Sequence, residues 1–471
     1  MTPPRAADPA AAAAARDPGS FRDPSGFVFW RDGRPYRQIQ QRFASEWDAF
    51  AGNPLERRLI ERGRLVPYDT VSVDLAEAPG AHAVIAPEPI EFVSYPYEWT
   101  FGELKDAALL TLDAQLDALA DGWTLRDASA FNVQFRAGRP VLIDSLSFEP
   151  HEDGTPWVAY RQYCEHFLAP LALMARRDVR LADLLRTEID GVPLDLAARL
   201  LPWRTRLNFG LLSHVHLHAR SQRRHAGNED EGQAARSARI PRSRLVALIG
   251  NLRSTVNGLD WTPAGTEWSD YADHTSYGDA ATASKARLVD AFVREVPGGR
   301  AWDLGANTGR YSRVAADAGK RVLAFDIDPA AAEQHYRALK GEGRTDILPL
   351  VQDVANPSPG LGWAGRERRS LVERADPDVI LALALVHHLA ISRNVPLPML
   401  LGLFADLAPW SVVEFVPRED PMVRRLLAAR RDVFDDYTID GFRAAAAGRF
   451  EIVREEPIAE SPRTLFLLRR R

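Results

Sequence analysis

Short apolar runs alternate with helical segments through the carboxyl-terminal part of the chain. From Arg300 onward, six runs have the length and composition of buried strands: "RAWDLG", "RVLAFDID", "DVILALALV", "SVVEFV", "FEIVREEPI" and "RTLFLLRR". Strands that alternate with helices predict a parallel, doubly wound α/β sheet. The last two runs follow each other closely, which predicts an antiparallel hairpin at one edge of the sheet.

A polar stretch divides the chain into two parts. Residues 218–244, "HARSQRRHAGNEDEGQAARSARIPRSR", are charged and nearly free of large apolar side chains, as is typical of a linker. We therefore predict one domain at 26–217 and a second at 245–471, which begins with a helical lead-in. Residues 1–25 are rich in alanine, proline and aspartate, which predicts a disordered tail.

The composition favours a cytoplasmic protein without nucleic-acid or membrane partners. A net charge of -5 and a pI near 6.2 provide no electrostatic basis for binding a polyanion. No apolar run approaches the roughly 18 residues that span a bilayer, and the amino terminus lacks the pattern of a signal peptide. Cys164 is the only cysteine, which excludes an intrachain disulfide and a multi-cysteine zinc site. The sequence leaves the oligomeric state open.

A turn of small residues follows the first predicted strand of the second domain, in "AWDLGANTGRYS". Asp303 ends the strand, Gly305 and Gly309 flank Asn307, and a helix begins at once. Glycine permits a positive φ and lets a ligand lie against the backbone, and asparagine tolerates the left-handed region better than most residues. Because ligands of open α/β sheets bind beyond the carboxyl ends of the strands, this turn predicts a ligand site.

Acidic residues end the next two strands. Asp326 ends "VLAFDID", where its carboxylate is suited to binding a ribose diol by two hydrogen bonds. Asp353 ends "DILPLVQD", where it could accept a hydrogen bond from the exocyclic amine of an adenine ring. The order D-x-G-x-N-x-G does not match the G-x-G-x-x-G fingerprint of nicotinamide dinucleotide sites.

The turn and the two acidic strand ends resemble class I S-adenosylmethionine-dependent methyltransferases, whose first motif is acidic-x-G-x-G-x-G. Asn307 replaces the middle glycine. The resemblance covers roughly residues 301–471 and implies a Rossmann-like fold with S-adenosylmethionine as the cofactor. It also implies that Gly305 to Gly309 support the methionine part, that Asp326 holds the ribose and that Asp353 contacts the adenine. Asp303 and Asn307 are further cofactor-binding candidates of this motif.

Three further residues are candidate catalytic residues of this domain. His387 and His388, in "ALALVHHLAIS", lie where a strand passes into a helix, and histidine accepts protons near neutral pH. Packing or capping by one histidine is the alternative. Glu414, in "SVVEFV", is a candidate second base or acceptor for a substrate hydroxyl, with a solvated loop as the alternative. We expect no metal ion, because no further histidine or cysteine cluster accompanies the pair.

The first domain contains "RDASAFN", two short strand-like pieces and then Asp144. This pattern resembles the R-D-x-x-x-x-N loop and the metal-binding segment of protein-kinase-like folds. The resemblance implies an α+β kinase-like domain ahead of the Rossmann-like one. It makes Asp127 the base and Asn132 and Asp144 the magnesium ligands of a nucleotide site.

The departures from the kinase pattern predict a degenerate site. No glycine-rich loop occurs upstream, and no lysine precedes Lys105 to hold nucleotide phosphates, although Arg34 or Arg37 is a candidate replacement. "DSLSF" also lacks the glycine that follows the aspartate in kinases. The alternative is an unrelated module in which Asp127 and Asp144 hold loops through backbone hydrogen bonds.

Two other segments, "FVSYPYEWTFGELKDAALL" and "YCEHFLAPLALMA", resemble a bacterial group that includes nodulation proteins of the NoeA type. The predicted function is methyl transfer from S-adenosylmethionine to an acceptor that the sequence does not reveal. A small molecule, a sugar derivative and a protein side chain all stay open. The competing predictions are ATP-dependent phosphotransfer by the first domain and a non-catalytic cofactor-binding or interaction protein.

Overall fold

The computed structural model describes residues 15–220, 239–263, 278–428 and 432–471. These residues form two compact units. The first unit takes the described residues up to Thr262 together with Gly360–Arg369, and the second takes Pro263–Pro359 and Ser370–Arg471. Within the described ranges, no helix is both long and apolar enough to cross a membrane.

An antiparallel sheet of five strands opens the first unit, in the order β1-β2-β3-β5-β4. The strands are β1 Ala15–Arg16, β2 Gly26–Arg31, β3 Arg34–Gln40, β4 Tyr68–Val71 and β5 Ala81–Pro87. Asp32 and Gly33 join β2 to β3 with φ values of 52° and 73°, as a tight two-residue hairpin requires. Helices Ala44–Phe50 and Pro54–Glu61 lie between β3 and β4 in the chain.

The helix Phe101–Ala120 begins with a reciprocal cap, because Glu103 N donates to Thr100 Oγ1 at 3.2 Å and Thr100 N donates to the Glu103 carboxylate at 2.8 Å. Four short strands follow: β6 Trp123–Leu125, β7 Val133–Arg136, β8 Arg139–Leu142 and β9 Phe148–Pro150. β6 pairs with β9 and β7 pairs with β8. This pairing brings together the loops that follow β6 and β8, and Ile143 N donates to Asn132 O at 2.9 Å.

The remaining α-helices of the first unit are Tyr160–Tyr163, Ala169–Arg176, Leu184–Thr187, Leu194–Leu200, Phe209–Leu211 and Arg242–Asn257. The last of these was predicted as the lead-in to the second domain. It belongs to the first unit instead, where Arg253 Nε donates to Asp113 Oδ1 at 2.6 Å. The boundary therefore lies at Thr262–Pro263 rather than at residue 245.

The predicted disordered tail also differs from the structure. β1 pairs with β2, and Trp30 Nε1 donates to Asp17 Oδ2 at 2.9 Å, so residues 15–25 are part of the fold. Proline, glycine and aspartate form turns here, so the abundance of these residues does not by itself indicate disorder. Residues 1–14, and residues 221–238 of the predicted linker, lie outside the described ranges.

Seven strands form the sheet of the second unit, in the order β12-β11-β10-β13-β14-β16-β15. They are β10 Arg300–Leu304, β11 Arg321–Asp326, β12 Ile347–Val351, β13 Val379–Ala382, β14 Trp410–Phe415, β15 Phe450–Pro457 and β16 Thr464–Arg470. β10 to β14 pair in parallel, whereas β16 is antiparallel to both of its neighbours. The predicted doubly wound α/β sheet with a closing antiparallel hairpin is confirmed.

The α-helices of the second unit are Asp279–Glu295, Arg310–Asp317, Pro329–Glu342, Leu397–Leu407, Pro421–Ala428 and Ile439–Ala447. Val289 and Phe292 of the first helix share a buried apolar core with Ala301 and Ala324 of the sheet. The order of the sheet reverses between β10 and β13, because the chain runs outward to β12 before it returns. The carboxyl ends of the strands at this reversal are where an α/β sheet leaves room for a ligand.

Candidate functional site

The turn after β10 has three residues in the left-handed region. Gly305, Asn307 and Gly309 have φ values of 76°, 50° and 81°. Gly305 N and Ala306 N both donate to Phe325 O, at 2.8 and 2.9 Å, which ties the turn to the end of β11. The predicted need for residues that tolerate a positive φ is thus met at each position.

The two glycines have different reasons to lack a side chain. A Cβ at Gly309 would lie 2.0 Å from the imidazole of His335, so the packing of the helix Pro329–Glu342 requires glycine there. At Gly305 the nearest contact for a Cβ would be Leu385 Cδ1 at 3.4 Å. A Cβ at Gly305 would thus contact Leu385 without a clash, and we call the position that it would fill the cradle.

The carboxylate of Asp326 is hydrogen-bonded directly to this turn. Its Oδ2 accepts from Asn307 N at 2.7 Å and its Oδ1 accepts from Asp328 N at 2.8 Å. Burial raises the pKa of Asp326 to about 6, against these backbone hydrogen bonds, which lower it. Each carboxylate oxygen has lone pairs for a further hydrogen bond, so both could accept from a vicinal diol.

Asp303 has a different position from the one expected of a cofactor ligand. Its side chain is buried, and Ser312 Oγ donates to its Oδ2 at 2.6 Å. Burial raises its pKa to about 6. The structure therefore places Asp303 beneath the turn, where it holds the start of the helix Arg310–Asp317.

Asp353 follows β12 and is partly open to solvent. Its Oδ1 accepts from Ala355 N at 2.8 Å, and its Oδ2 lies 3.3 Å from Arg393 Nη2. The neighbouring Gln352 is buried, and Gln352 N donates to Asp326 O at 2.8 Å. The loop after β12 is therefore bonded to the strand end that carries Asp326.

His387 and His388 lie after β13, next to each other, with ring centroids 4.1 Å apart. Burial lowers the pKa of His387 far below its ordinary value and lowers that of His388 to about 4. Both imidazoles are therefore neutral near pH 7. Neither ring nitrogen of His387 has a hydrogen-bond partner among the described residues.

Glu414 at the end of β14 is buried within a network of ion pairs. Lys285 Nζ lies 2.6 Å from its Oε2, and Arg463 Nη1 donates to its Oε1 at 3.1 Å. Arg463 Nε also donates to Asp420 Oδ2 at 2.7 Å. A carboxylate neutralised by two buried cations is a poor proton acceptor, so the structure assigns Glu414 to this network rather than to a solvated loop or an accessible base.

Lys285 and Arg463 were missed by the sequence reasoning. Lys285 lies in the helix Asp279–Glu295, where it is spaced four residues from Ala281 and seven from Phe292, on the apolar stripe that faces the sheet. A lone cation on an apolar helix face was the signal that could have identified it. Arg463 directly precedes β16, and nothing comparable in the sequence around it distinguished this residue.

The three polar residues predicted for the first unit come close together. Asp127 Oδ1 accepts from Ser129 N at 2.9 Å and from Gln162 Nε2 at 2.8 Å. Burial raises the pKa of Asp127, and the nearby charge of Asp144 raises it further. The hydrogen bond from Ile143 N to Asn132 O joins the two loops that carry these side chains.

Asp144 is neutralised by the chain itself. Arg37 Nη1 lies 2.6 Å from Asp144 Oδ1, and both side chains are largely buried. Asp144 also accepts from Leu146 N at 3.0 Å and from Ser147 Oγ at 2.5 Å. Arg37 is on β3, and its Nη2 also lies 3.2 Å from Asp23 Oδ2. Within the described ranges, no group of three or more histidine, cysteine or acidic side chains is arranged to hold a metal ion.

Parts of the chain are similar to methyltransferases of known structure. Magnesium protoporphyrin IX methyltransferase (ChlM) from Synechocystis PCC 6803 with bound SAH is 15% identical over 43% of this chain and 93% of its own, with a TM-score of 0.31. N-methyltransferase NodS from Bradyrhizobium japonicum WM9 is 11% identical over 41% of this chain and 97% of its own, with a TM-score of 0.30. The fold assignment therefore depends on the strand order described above.

Full-length similarity identifies the family. No protein-family model matches the chain. Nodulation protein NoeA of Rhizobium meliloti (strain 1021) is 37% identical over 477 aligned positions, which cover 99% of each chain. The aligned region includes both units and both candidate sites. The protein therefore belongs to the family of nodulation protein NoeA.

Proposed function

We propose that the second unit binds S-adenosylmethionine and transfers its methyl group to an acceptor. The observation that carries this proposal is the open cradle at Gly305 beside the carboxylate of Asp326, at the reversal point of the sheet. The closing pair β15–β16 is also typical of class I methyltransferases, which the sequence motif resembles.

The residues fit the cofactor in a defined way. The left-handed turn from Gly305 to Gly309 would receive the methionine part, since Gly305 presents its backbone without a side chain. Asp326 would accept from the ribose hydroxyls and Asp353 from the adenine amine. When bound, S-adenosylmethionine supplies an activated methyl group on a positively charged sulfur. The chain must then align the acceptor and remove its proton if the acceptor is a hydroxyl or amine.

The neutral histidine pair supports a substrate-side role in this proposal. Because burial lowers their pKa values, both imidazoles are weak bases near pH 7, so their role would be to position the acceptor through hydrogen bonds rather than to take its proton. Neither ring nitrogen of His387 has a hydrogen-bond partner among the described residues. The buried ion pair between Lys285 and Glu414 fixes the end of β14, the strand next to β13 in the sheet. We propose a small molecule or a protein as the acceptor, and no nucleic acid.

Calorimetric titration of the full chain with S-adenosylmethionine, S-adenosylhomocysteine, ATP and NAD tests the proposal. We expect binding of the first two only. Asp326→Ala should weaken that binding by about 1.5–3 kcal/mol, because it removes a charged hydrogen-bond acceptor. Asp376→Ala is the matched control, because Asp376 is exposed and pairs with Arg300 at the surface. Unchanged affinity in a folded Asp326→Ala variant would remove Asp326 from the site.

We also propose that the first unit has a kinase-like fold without phosphotransferase activity. A five-stranded antiparallel sheet, the "RDASAFN" loop and the β7–β8 hairpin before Asp144 support the likeness. The pairing of Arg37 with Asp144 supports the loss of activity, because the carboxylate expected to hold magnesium is already neutralised.

Incubation of the full chain with magnesium and radiolabelled ATP tests this second proposal. We expect neither hydrolysis nor transfer of phosphate, since phosphoryl transfer depends on positioning and charge neutralisation. Activity that disappears in an Asp144→Asn variant would contradict the proposal and favour the phosphotransferase alternative.

A further inference from the structure

Ten residues of the second half of the chain belong to the first unit. Residues Gly360–Arg369 lie between β12 and β13 in the sequence, but they pack as part of the first unit. They form a loop that is closed by an antiparallel bridge, in which Leu361 N donates to Arg368 O at 2.9 Å and Arg368 N donates to Leu361 O at 3.0 Å. We call residues 360–369 the docked segment.

Glu367 is the most enclosed side chain of the docked segment. Its carboxylate is fully buried and accepts from Arg22 Nε at 2.6 Å and from Arg22 Nη2 at 3.0 Å. A Cβ at Gly19 would lie 2.6 Å from Glu367 O, so glycine is needed for this close approach. The loop that joins β1 to β2, residues 17–25, is therefore shaped to receive Glu367. A two-point arginine–carboxylate contact fixes orientation as well as distance.

The two arginines after Glu367 reach another part of the first unit. The Arg368 guanidinium lies 4.2 Å from the ring centroid of Phe131, within the range of a cation–π contact. Arg369 N donates to Tyr95 Oη at 2.9 Å. Phe131 lies in the loop 126–132, between Asp127 and Asn132.

The two loops that contact the docked segment also contribute to the Asp127–Asp144 cluster, by which we mean Asp127, Asn132 and Asp144. From the loop 17–25, Asp23 lies 3.2 Å from Arg37 Nη2 and 3.4 Å from Arg126 Nη2. From the loop 126–132, Asp127 and Asn132 belong to the cluster itself. The docked segment thus contacts Arg22 and Phe131 of the same two loops that carry Asp23, which pairs with Arg37, and Asp127, which lies near Asp144.

We propose that the docked segment is an internal ligand of the first unit. The segment holds the loops 17–25 and 126–132 together and keeps the Asp127–Asp144 cluster closed to other ligands. The first unit then acts as a receptor for a segment of its own chain. Because the segment is covalently linked, its local concentration is high, and an external ligand of the cluster has to displace it.

Hydrogen exchange of the full chain tests whether the docked segment restrains these two loops. In a Glu367→Ala/Arg368→Ala variant, we expect amides of the loops 17–25 and 126–132 to exchange about tenfold faster or more, because the contacts that restrain both loops are removed. Arg366→Ala is the matched control, since Arg366 is an exposed neighbour in the same segment, and it should leave exchange unchanged. Arg22→Ala, on the other side of the contact, should reproduce the faster exchange. Unchanged exchange in both variants would overturn the proposal.

Binding in trans tests the receptor role independently of the stability of the loops. A chain with residues 360–369 replaced by glycine and serine should bind a fluorescent peptide of residues 358–371 saturably. The unmodified chain should bind it at least about tenfold more weakly, because its receptor surface is taken. Adding Arg22→Ala to the replaced chain should weaken peptide binding. Failure of the folded, replaced chain to bind the peptide, or equal binding by the unmodified chain, would overturn the proposal.

Discussion

Asp326 in the second unit and Asp144 in the first are both carboxylates at the edge of a predicted ligand site, and they have opposite surroundings. Both carboxylate oxygens of Asp326 accept from backbone amides, and burial raises the pKa of Asp326 to about 6. Asp144 faces the guanidinium of Arg37 at 2.6 Å. A carboxylate without a cation of its own retains the capacity to bind a ligand, whereas a carboxylate paired with a buried cation is already neutralised, and the fold is destabilised if that cation is removed.

The largest expected effect separates the two glycines of the turn. Gly305→Val should abolish S-adenosylmethionine binding, a loss of about 4 kcal/mol or more, because the side chain fills the cradle and a β-branched residue resists a φ of 76°. Calorimetry measures the binding, and circular dichroism checks that the sheet persists.

Gly309→Val is the contrasting variant. Its side chain would meet the ring of His335, so we expect a marked loss of thermal stability in addition to lost binding. Normal cofactor binding by a folded Gly305→Val variant would show that the cradle is not the site.

The next effect tests the neutralised carboxylate of the first unit. Arg37→Ala should destabilise the first unit by about 3 kcal/mol, because it leaves Asp144 partly buried without its cation. Native-state hydrogen exchange of the β3 and β5 amides measures this change. Arg34→Ala, an exposed position on the same strand, is the control and should change stability by no more than about 0.5 kcal/mol. Equal losses of stability in the two variants would mean that the first unit does not depend on Arg37 to neutralise Asp144.

Buried acid groups in the second unit predict a dependence on pH. The folded-state pKa of Asp303 is raised to about 6 from 3.8, so the native state holds this proton more tightly than the unfolded state does. The resulting cost to stability is small below pH 4, grows between pH 4 and 6, and is complete above pH 6.

Asp303→Asn carries no charge and avoids that cost. Its stability relative to the unmodified protein should therefore rise by about 2 kcal/mol between pH 4.5 and pH 7.5, as measured by urea unfolding at both values. A difference that is constant with pH would show that Asp303 is charged in the folded protein throughout this range.

The smallest expected effect is at Asp353. Its carboxylate is partly exposed and already pairs with Arg393, so Asp353→Ala should weaken S-adenosylmethionine binding by about 0.5–1 kcal/mol. Titration calorimetry beside Asp326→Ala gives the comparison. A larger loss for Asp353→Ala than for Asp326→Ala would reverse the proposed ranking of the two acidic strand ends.

Local patterns in the sequence predicted much of the second unit. The apolar runs of Arg300 and after match β10, β11 and β13 to β16, and the glycine turn has the positive φ values that its residues suggested. These features depend on neighbours within a few positions, where periodicity and backbone preference act directly. Composition was a weaker guide, because the proline- and aspartate-rich residues 15–25 form a strand and a loop that pack on β2.

The sequence by itself determined the alternation of strands and helices, the turn from Gly305 to Gly309 and the acidic ends of β11 and β12. Only the tertiary structure decided which charges are neutralised, since Arg37 meets Asp144 and Lys285 meets Glu414 across long stretches of chain. It also decided that residues 360–369 belong to the first unit. Such contacts depend on how whole elements pack, and no spacing within a single element encodes them.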